Sequence, residues 1–293
     1  MGAGRHIPRV FLSQPLYFGR TVTFSDKSEH RGRNLVHHLK TVLRLREGSR
    51  LRCFNGHEGE WIARVERVTK HELHLTIQEQ QRTQPPAPTQ ALALFFSPIK
   101  CLTSLLKHCT QLGVQHFFPV VTKHTTGYRA SHFNSQRLES IILEAVEQCG
   151  RLDVPSLSSP QTLPELLKGW DDEFQRQRHS SESQDSLVKF NRGNYKNLLV
   201  CDEHSKDSPS LYHYLNKVEP IQQQDLLGGS QTTTACNLAV MVGPEGGFTE
   251  EERSLLKDRA YITRVSLGDN TLQSDTAAIA SCALLYLLRR EKS

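Results

Sequence analysis

The stretch Leu238–Glu252, LAVMVGPEGGFTEEE, joins an apolar run to a helix signal through a glycine-rich turn. A short continuous apolar run is typical of a buried parallel strand, and Thr249 with Glu252 predicts a capping box. Glycines at a strand exit let the backbone approach a ligand closely, and ligands favour the carboxyl ends of parallel strands. The stretch therefore indicates either a ligand-binding loop or an ordinary tight turn.

A second strand exit lies in Val265–Ala278, VSLGDNTLQSDTAA. Its strand leaves through Gly268, and Ser274 or Asp275 is predicted to cap the last helix. Alone, this pattern is typical of a capped loop. Two successive glycine-bearing exits from one sheet favour a shared crevice, and hence a cofactor site.

Strand and helix patterns alternate on both sides of these stretches. Apolar runs predict strands at Ala91–Phe96, Val114–Val121, Leu198–Cys201, Leu238–Val242 and Ile262–Leu267, with helical patterns between and after them. Such alternation predicts an α/β fold with a parallel sheet covered by helices. Two polar stretches, Asp171–Asn197 and Pro220–Asn237, interrupt it and are predicted to be flexible insertions.

A proline-rich segment, Gln80–Gln90, divides the chain and predicts a linker. We expect a first domain over 1–82, a linker over 83–90 and a second domain over 91–293. The first domain alternates apolar and polar residues, as β-strands do. It also contains one helical pattern over Asn34–Leu45, so we predict a small barrel with an inserted helix.

The charge of the chain is concentrated in one place. The 293 residues carry a formal net charge of +5, which excludes no class of partner. Arg31–Arg52, however, holds seven basic residues against the single acidic Glu47, a net of +6. Such runs are usually solvated faces, but here we favour contact with RNA phosphates, with Arg44 and Arg46 as candidates.

Composition argues against several classes of protein. No apolar run reaches the roughly 18 residues of a membrane span, and the first residues lack a signal-peptide core. Seven scattered cysteines without a CxxC pair argue against a disulfide framework and a zinc ribbon. The 14 histidines form no ligand motif, so we expect no metal. We therefore expect a cytoplasmic protein.

Several motifs together resemble one known family. They are Ile7-Pro8-Arg9, His38-Leu39 with Val42-Leu43-Arg44 and Gly48, Gln111–Val114, Glu147–Arg151, Gly243–Phe248, and Leu267-Gly268 with Leu272. In order and spacing the set resembles the SPOUT methyltransferases. Within them it resembles the bacterial family that methylates N3 of a uridine in small-subunit (16S-type) ribosomal RNA.

The resemblance implies a fold and a cofactor. The first domain is expected to be a PUA-like RNA-binding barrel, and the second an α/β domain whose last strands and helix form a deep trefoil knot. S-adenosyl-L-methionine (AdoMet) is the implied cofactor, and a homodimer the implied assembly. The implied cofactor-binding residues lie at three strand exits: Leu199, Val200, Val242, Gly243, Glu245, Gly246, Gly247, Leu267, Gly268, Leu272 and Thr276.

Further residues are candidates for contact with RNA and for proton transfer. Arg9 and His38 lie in motifs of the RNA-binding domain, and Lys100 and Arg151 are further candidates for RNA contact. Arg151 follows Gly150, a predicted helix C-cap, so it equally fits a role in closing that helix. Glu245 is the candidate general base, or else it shapes its own turn. Methyl transfer of this kind requires no metal.

The sequence departs from the family pattern at two positions of the last loop. Gln273 stands where the family usually has arginine, and Asp275 where it has glutamate. Two other functions therefore stay open beside the leading one. One is a SPOUT methyltransferase acting at another RNA site, and the other is a non-catalytic RNA-binding or ribosome-assembly protein with a degenerate knot.

Overall fold

The computed structural model describes residues 7–25, 29–30, 33–87, 90–98, 101–125, 133–179, 195–202, 208–217 and 237–290. The chain divides into two compact units. Unit 1 comprises Met1–Ala87 and Asn134–Pro155, and unit 2 comprises Pro88–Phe133 and Ser156–Ser293.

Unit 1 is built on a five-stranded sheet in which apolar side chains alternate with polar ones. Its strands are β1 (Arg9–Phe11), β2 (Thr21–Ser25), β5 (Arg50–Phe54), β6 (Glu60–Val68) and β7 (Glu72–Arg82), and a separate two-stranded pair is β3 (Glu29–His30) with β4 (Arg33–Asn34). The order is β1-β5-β6-β7-β2, with β1 parallel to β5 and the other neighbours antiparallel. Alternate residues such as Leu51, Val65 and Leu75 form its core.

The helical pattern predicted over Asn34–Leu45 forms one short helical segment. Helix α1 (Leu35–His37) continues into a π-helical turn, His38–Val42. Leu35, Val36 and Leu39 are buried in the core of unit 1. The segment therefore closes the apolar side of the sheet, as its spacing predicts.

The long helix α3 (Ser135–Cys149) groups with unit 1, whereas the predicted boundaries placed it in the second domain. It begins at Asn134, whose side chain accepts the N–H of Arg137, and ends at Gly150, whose φ of 79° lies in the left-handed region. The backbone N–H of Phe11 donates to the Glu147 carboxylate at 2.9 Å. Contacts from strand β1 thus attach this helix to a unit more than a hundred residues earlier in the chain.

Unit 2 is an α/β domain with a parallel seven-stranded sheet, as predicted. Its strands are β8 (Leu92–Phe96), β9 (His116–Val121), β10 (Ser156–Leu157), β11 (Gln161–Thr162), β12 (Tyr195–Cys201), β13 (Asn237–Val242) and β14 (Ile262–Val265). The order is β10-β9-β8-β13-β12-β14, with β11 also paired to β9. Strand β12 therefore lies between β13 and β14, so the loops after all three meet at one edge.

Five helices accompany this sheet in the described residues. They are α2 (Leu102–Gln111), α4 (Leu163–His179), α5 (Leu211–Lys217), α6 (Glu250–Lys257) and α7 (Ser274–Arg290). Aromatic side chains fill one side of the core, where the rings of Phe95 and Phe118 stack at 4.4 Å. None of the helices in the part of the chain that is described is long and apolar enough to cross a membrane.

The first polar insertion is shorter than predicted. Helix α4 extends to His179, and Tyr195 already begins β12, so only 180–194 lie outside the described residues. Asp171, the first residue of the predicted insertion, pairs with Arg259 at 3.0 Å and accepts the Tyr261 hydroxyl at 2.6 Å. Of the second insertion, Pro220–Asn237, all but Asn237 lies outside the described residues.

Candidate functional site

A cavity lies in unit 2 at the carboxyl ends of β12, β13 and β14, where the two glycine-bearing loops predicted it. It encloses about 110 Å³, and the free space in it and in its open mouth amounts to about 760 Å³. A ligand the size of a nucleoside would therefore lie partly in the mouth. The lining residues are Cys201, Asp202, Val242, Gly243, Pro244, Gly247, Phe248, Val265, Ser266, Leu267, Gly268, Asp269, Asn270, Thr271, Leu272, Ser274 and Ala277.

The turn after β13 brings its backbone to the cavity wall. A Cβ atom on Gly243 would lie 2.9 Å from Cε2 of Phe248, so only glycine fits beside this buried ring. Gly247 has a φ of 66°, a conformation that favours glycine. The glycines of GPEGG are therefore needed both for close packing and for backbone geometry.

The loop after β9 supports this turn from outside the cavity. His124 Nδ1 lies 2.9 Å from the carbonyl oxygen of Gly246 and 3.1 Å from that of Gly247. The buried carboxylate of Glu252 accepts the backbone N–H of Lys123 at 2.8 Å and that of Thr249 at 2.9 Å. Thr249 and Glu252 form the predicted capping box, so the start of α6 also fixes the neighbouring loop.

Replacing Glu252 with alanine is expected to destabilise unit 2 by about 1–3 kcal/mol, because two backbone N–H groups lose their acceptor. Thermal unfolding of the purified chain measures the loss. Glu251→Ala is the matched control, since Glu251 is exposed in the same helical turn. Equal melting temperatures for the two variants would contradict this role of Glu252.

The loop after β14 is joined to the GPEGG turn by one buried hydrogen bond. Ser274 Oγ donates to the carbonyl oxygen of Gly243 at 2.6 Å. Ser274 is itself the first residue of α7 and its hydroxyl donates to Gly243, so it does not cap the helix as predicted. The Asp275 carboxylate accepts the adjacent Thr276 N–H at 2.8 Å and the Thr276 hydroxyl at 3.5 Å. Gly268, which lines the cavity, has a φ of 121°, a conformation that favours glycine.

Asp202 is a cavity residue that sequence reasoning missed. Its side chain is 2% exposed and accepts from Arg264 at 2.7 Å, and Arg253 lies 3.4 Å away. The signal for it is an acidic residue directly after the apolar run of β12. Cys201 precedes it, and burial raises the pKa of that thiol to about 11, so the thiol is protonated at neutral pH.

The structure brings six of the predicted cofactor residues into the cavity wall and leaves five outside it. The six are Val242, Gly243, Gly247, Leu267, Gly268 and Leu272. Leu199 and Val200 are buried within β12, and Glu245, Gly246 and Thr276 are exposed beside the cavity. Glycines mark strand exits in the sequence, so the loops that line the cavity can be recognised from it, whereas not every lining side chain can. That these residues bind a cofactor stays a prediction.

The predicted RNA contacts have different environments. Arg44 and Arg46 are exposed in unit 1, His38 is half-buried, and Lys100 lies outside the described residues. Arg151 pairs with Asp153 at 2.5 Å. His38, Arg44 and Arg46 therefore lie in one basic run of the sequence, whereas Arg151 follows helix α3.

The structure corrects the environment expected for Arg9, because its guanidinium group is buried within unit 1. It pairs with Glu60 at 2.5 Å, donates to the carbonyl oxygens of Val146 and Arg151, and lies 3.8 Å from the centre of the Phe54 ring. Its side chain is 8% exposed. Arg9 therefore holds α3 against the sheet, and little of its side chain is accessible to RNA.

An α/β domain with a cavity at the ends of its parallel strands, in a chain that also contains a small β domain, is consistent with the family models that match this chain. A model of the RNA methyltransferase domain matches residues 85–286, and a model of the RNA methyltransferase PUA domain matches residues 32–78. The chain belongs to the RNA methyltransferase family. This confirms the predicted class of enzyme and the resemblance drawn from the motifs.

The similarity to individual relatives covers nearly the whole chain. Ribosomal RNA small subunit methyltransferase E of Rickettsia conorii is 28% identical over 273 residues, covering 93% of this chain and 95% of the relative. The Neisseria gonorrhoeae protein of that name, solved with S-adenosyl methionine, is 25% identical with a TM-score of 0.68. It covers 97% of this chain and 98% of its own.

A third relative supports the fold alone. A putative methyltransferase of Legionella pneumophila, solved in complex with the cofactor SAM, gives a TM-score of 0.69 at 22% identity, covering 97% of this chain and 98% of its own. The predicted α/β domain after a PUA domain is thereby confirmed. The trefoil knot stays a prediction.

Proposed function

We propose that this chain transfers a methyl group from AdoMet to N3 of a uridine in small-subunit ribosomal RNA. The observation that carries the proposal is the cavity at the ends of β12, β13 and β14, in a member of the RNA methyltransferase family. The named relatives act on small-subunit ribosomal RNA, and one was solved with the cofactor.

The cavity residues fit AdoMet chemically. Val242, Leu267 and Leu272 offer an apolar wall for a flat base, and the backbone beside Gly243 and Gly247 leaves no side chain in the way. Ser266, Asn270 and Thr271 add polar groups at the mouth, where the hydroxyl groups and the charged tail need partners. In the described residues no cluster of three metal-ligating side chains occurs.

When bound, AdoMet supplies an electrophilic methyl group on a sulfonium centre. The chain has to hold the uridine so that N3 lies in line with that group, and such positioning supplies much of the rate. The N3 proton has to leave, and hydrogen-bond donors near the flanking carbonyl oxygens favour the resulting anion. Glu245 stays our candidate to accept the proton.

Glu245→Gln tests that assignment. Because Glu245 is exposed and does not line the cavity, we expect unchanged AdoMet affinity in the variant. If its carboxylate is the base, methyl transfer to small subunits falls by about 100-fold or more. Full activity would remove Glu245 as the base and leave it as a residue of the turn.

Two measurements test the proposed function. Calorimetry with AdoMet alone separates an enzyme from a non-catalytic RNA-binding protein, which would not bind the cofactor. Nuclease digestion and mass spectrometry of small-subunit RNA from a deletion strain, with and without a plasmid copy, then map 3-methyluridine. A methyl mark at another nucleotide would support a SPOUT enzyme with a different target.

We further propose that the chain works as a homodimer in the cytoplasm. The dimer is what the family resemblance implies, since the family's sites lie near a subunit interface, and the cytoplasmic location is expected from the scattered cysteines and the first residues. Light scattering of the purified chain measures the assembly. A monomer that retains full activity would contradict the dimer.

A further inference from the structure

One face of the sheet in unit 1 carries a row of exposed polar residues across four strands. Arg50 on β5 lies opposite Arg64 on β6, Arg64 opposite Thr76 on β7, and Thr76 opposite Thr21 on β2. Residues directly opposite one another share a face. Arg50, Arg64 and Thr21 are exposed and Thr76 half-exposed, so the row lies on the outer face.

The arginine pair within this row places two positive charges side by side on neighbouring strands. Among the residues that the structure describes, neither Arg50 nor Arg64 has a carboxylate within ion-pair distance. Like charges directly opposite each other on neighbouring strands destabilise the sheet. An anionic partner bound across both guanidinium groups would remove that cost.

Two exposed aromatic side chains lie at the other end of the row. Tyr17 is 55% exposed and Phe18 is 78% exposed, although the preceding Leu16 is buried. Gly19 has a φ of 78° and donates its N–H to the carbonyl oxygen of Ile77 at 2.9 Å. This hydrogen bond attaches the turn to β7, and the turn presents its aromatic rings to solvent.

Arg20 connects the aromatic turn to the row. Its guanidinium carbon lies 5.3 Å from the centre of the Tyr17 ring, and its carbonyl oxygen accepts the Ile77 N–H at 2.8 Å. The next residue is Thr21, the end of the row. Because neighbouring strands are about 4.8 Å apart, Arg64 lies roughly 10 Å from Thr21, two strands away.

We propose that this row binds an unpaired stretch of RNA, with phosphates on Arg50 and Arg64 and a base stacked on Tyr17 or Phe18. Basic groups that follow the backbone, combined with aromatic rings that accept any base, are the arrangement that recognises single strands. The inference rests on the proposed function, because it names the form of RNA that unit 1 holds.

The test measures binding of a short fluorescent single-stranded RNA to the full chain by anisotropy, at salt concentrations between about 50 and 200 mM. Arg50→Gln/Arg64→Gln removes two phosphate contacts, so the slope of log K against log salt should become shallower by about 1.4. Tyr17→Leu/Phe18→Leu removes the stacking rings but no charge. It should weaken binding by about 10-fold or more with an unchanged slope.

Two matched variants serve as controls. Arg137→Gln removes an exposed arginine of unit 1 that lies on α3, and Tyr212→Leu removes a 59% exposed tyrosine of unit 2. Both should bind the RNA as the unaltered chain does. The Arg50→Gln/Arg64→Gln variant removes two positive charges that repel each other, so it should melt at the same temperature as the unaltered chain or at a higher one.

The inference is overturned by any of three results. They are an unaltered chain that does not bind the single strand, an arginine variant with the original salt slope, or a leucine variant with the original affinity. AdoMet calorimetry on the same samples keeps the proposed function separate. A chain that binds and uses AdoMet but fails the RNA assay contradicts this inference alone.

Discussion

Gly243→Val should reduce the affinity for AdoMet by about 100-fold, because the new side chain has no room at the cavity wall. The first added carbon alone would lie 2.9 Å from the ring of Phe248, which is 2% exposed and packed in the core of unit 2. The ring or the turn has to move, and both belong to the cavity. Gly243→Ala should show a smaller loss in the same direction, and calorimetry measures both.

Gly246→Ala is the matched control for this prediction. Its added Cβ would lie 3.2 Å from Cβ of His124, so it also perturbs the turn, but Gly246 does not line the cavity. We expect a lower melting temperature with nearly unchanged AdoMet affinity. If Gly243→Val bound AdoMet as tightly as the unaltered chain, the cavity would not be the cofactor site.

Arg9→Met should destabilise unit 1 by about 3–5 kcal/mol, because it leaves the buried Glu60 without its closest cation. The Glu60 side chain is 2% exposed, and its other cation, Arg82, is 47% exposed. The substitution also removes the hydrogen bond that Arg9 donates to the carbonyl oxygen of Val146. Hydrogen exchange of peptides from β5, β6 and α3 measures the loss within unit 1.

Two variants decide whether the loss comes from the buried charge. Arg137→Met removes an exposed arginine from the same unit and should change stability by less than about 0.5 kcal/mol. Arg9→Met/Glu60→Gln removes both buried charges, so it should be more stable than Arg9→Met alone. If the loss in free energy of unfolding of the double variant equalled the sum of the losses of Arg9→Met and Glu60→Gln, the pairing would be contradicted.

The same cluster predicts an acid dependence. Burial alone would raise the pKa of Glu60, but hydrogen bonds and charges from Arg82 and Arg9 outweigh it, so the pKa lies below its ordinary value. The ionised cluster therefore stabilises unit 1 above about pH 4.3, and this contribution is lost as pH falls through the lower folded pKa. The stability difference between the unaltered chain and Glu60→Gln should narrow below about pH 4, as hydrogen exchange at several pH values would show.

The parts of the fold that follow local rules could be predicted from the sequence. The apolar run before Gly243 forms β13, and Thr249 with Glu252 forms the capping box. Gly150 ends its helix in the left-handed conformation. Each of these features depends on residues within a few positions of one another, so a single sequence contains the information.

Features that depend on distant partners could not be predicted in the same way. Arg9 pairs with Glu60, 51 residues away, and bonds carbonyl oxygens 137 and 142 residues away, so nothing beside it in sequence indicates burial. Asp202 can likewise be recognised as a buried, paired carboxylate only when Arg264 is known to lie on the adjacent strand. The strand order, which places β12 between β13 and β14, is also a property of the folded chain.

The hydrogen bond from Ser274 to the Gly243 carbonyl has a consequence for protein synthesis. The two residues are 31 positions apart, and Ser274 begins helix α7. Domains fold in order as the polypeptide leaves the ribosome, so unit 2 is still missing this bond when its sheet is complete. The cavity therefore forms only after α7 has emerged, because Ser274 and Ala277 of that helix are part of its wall.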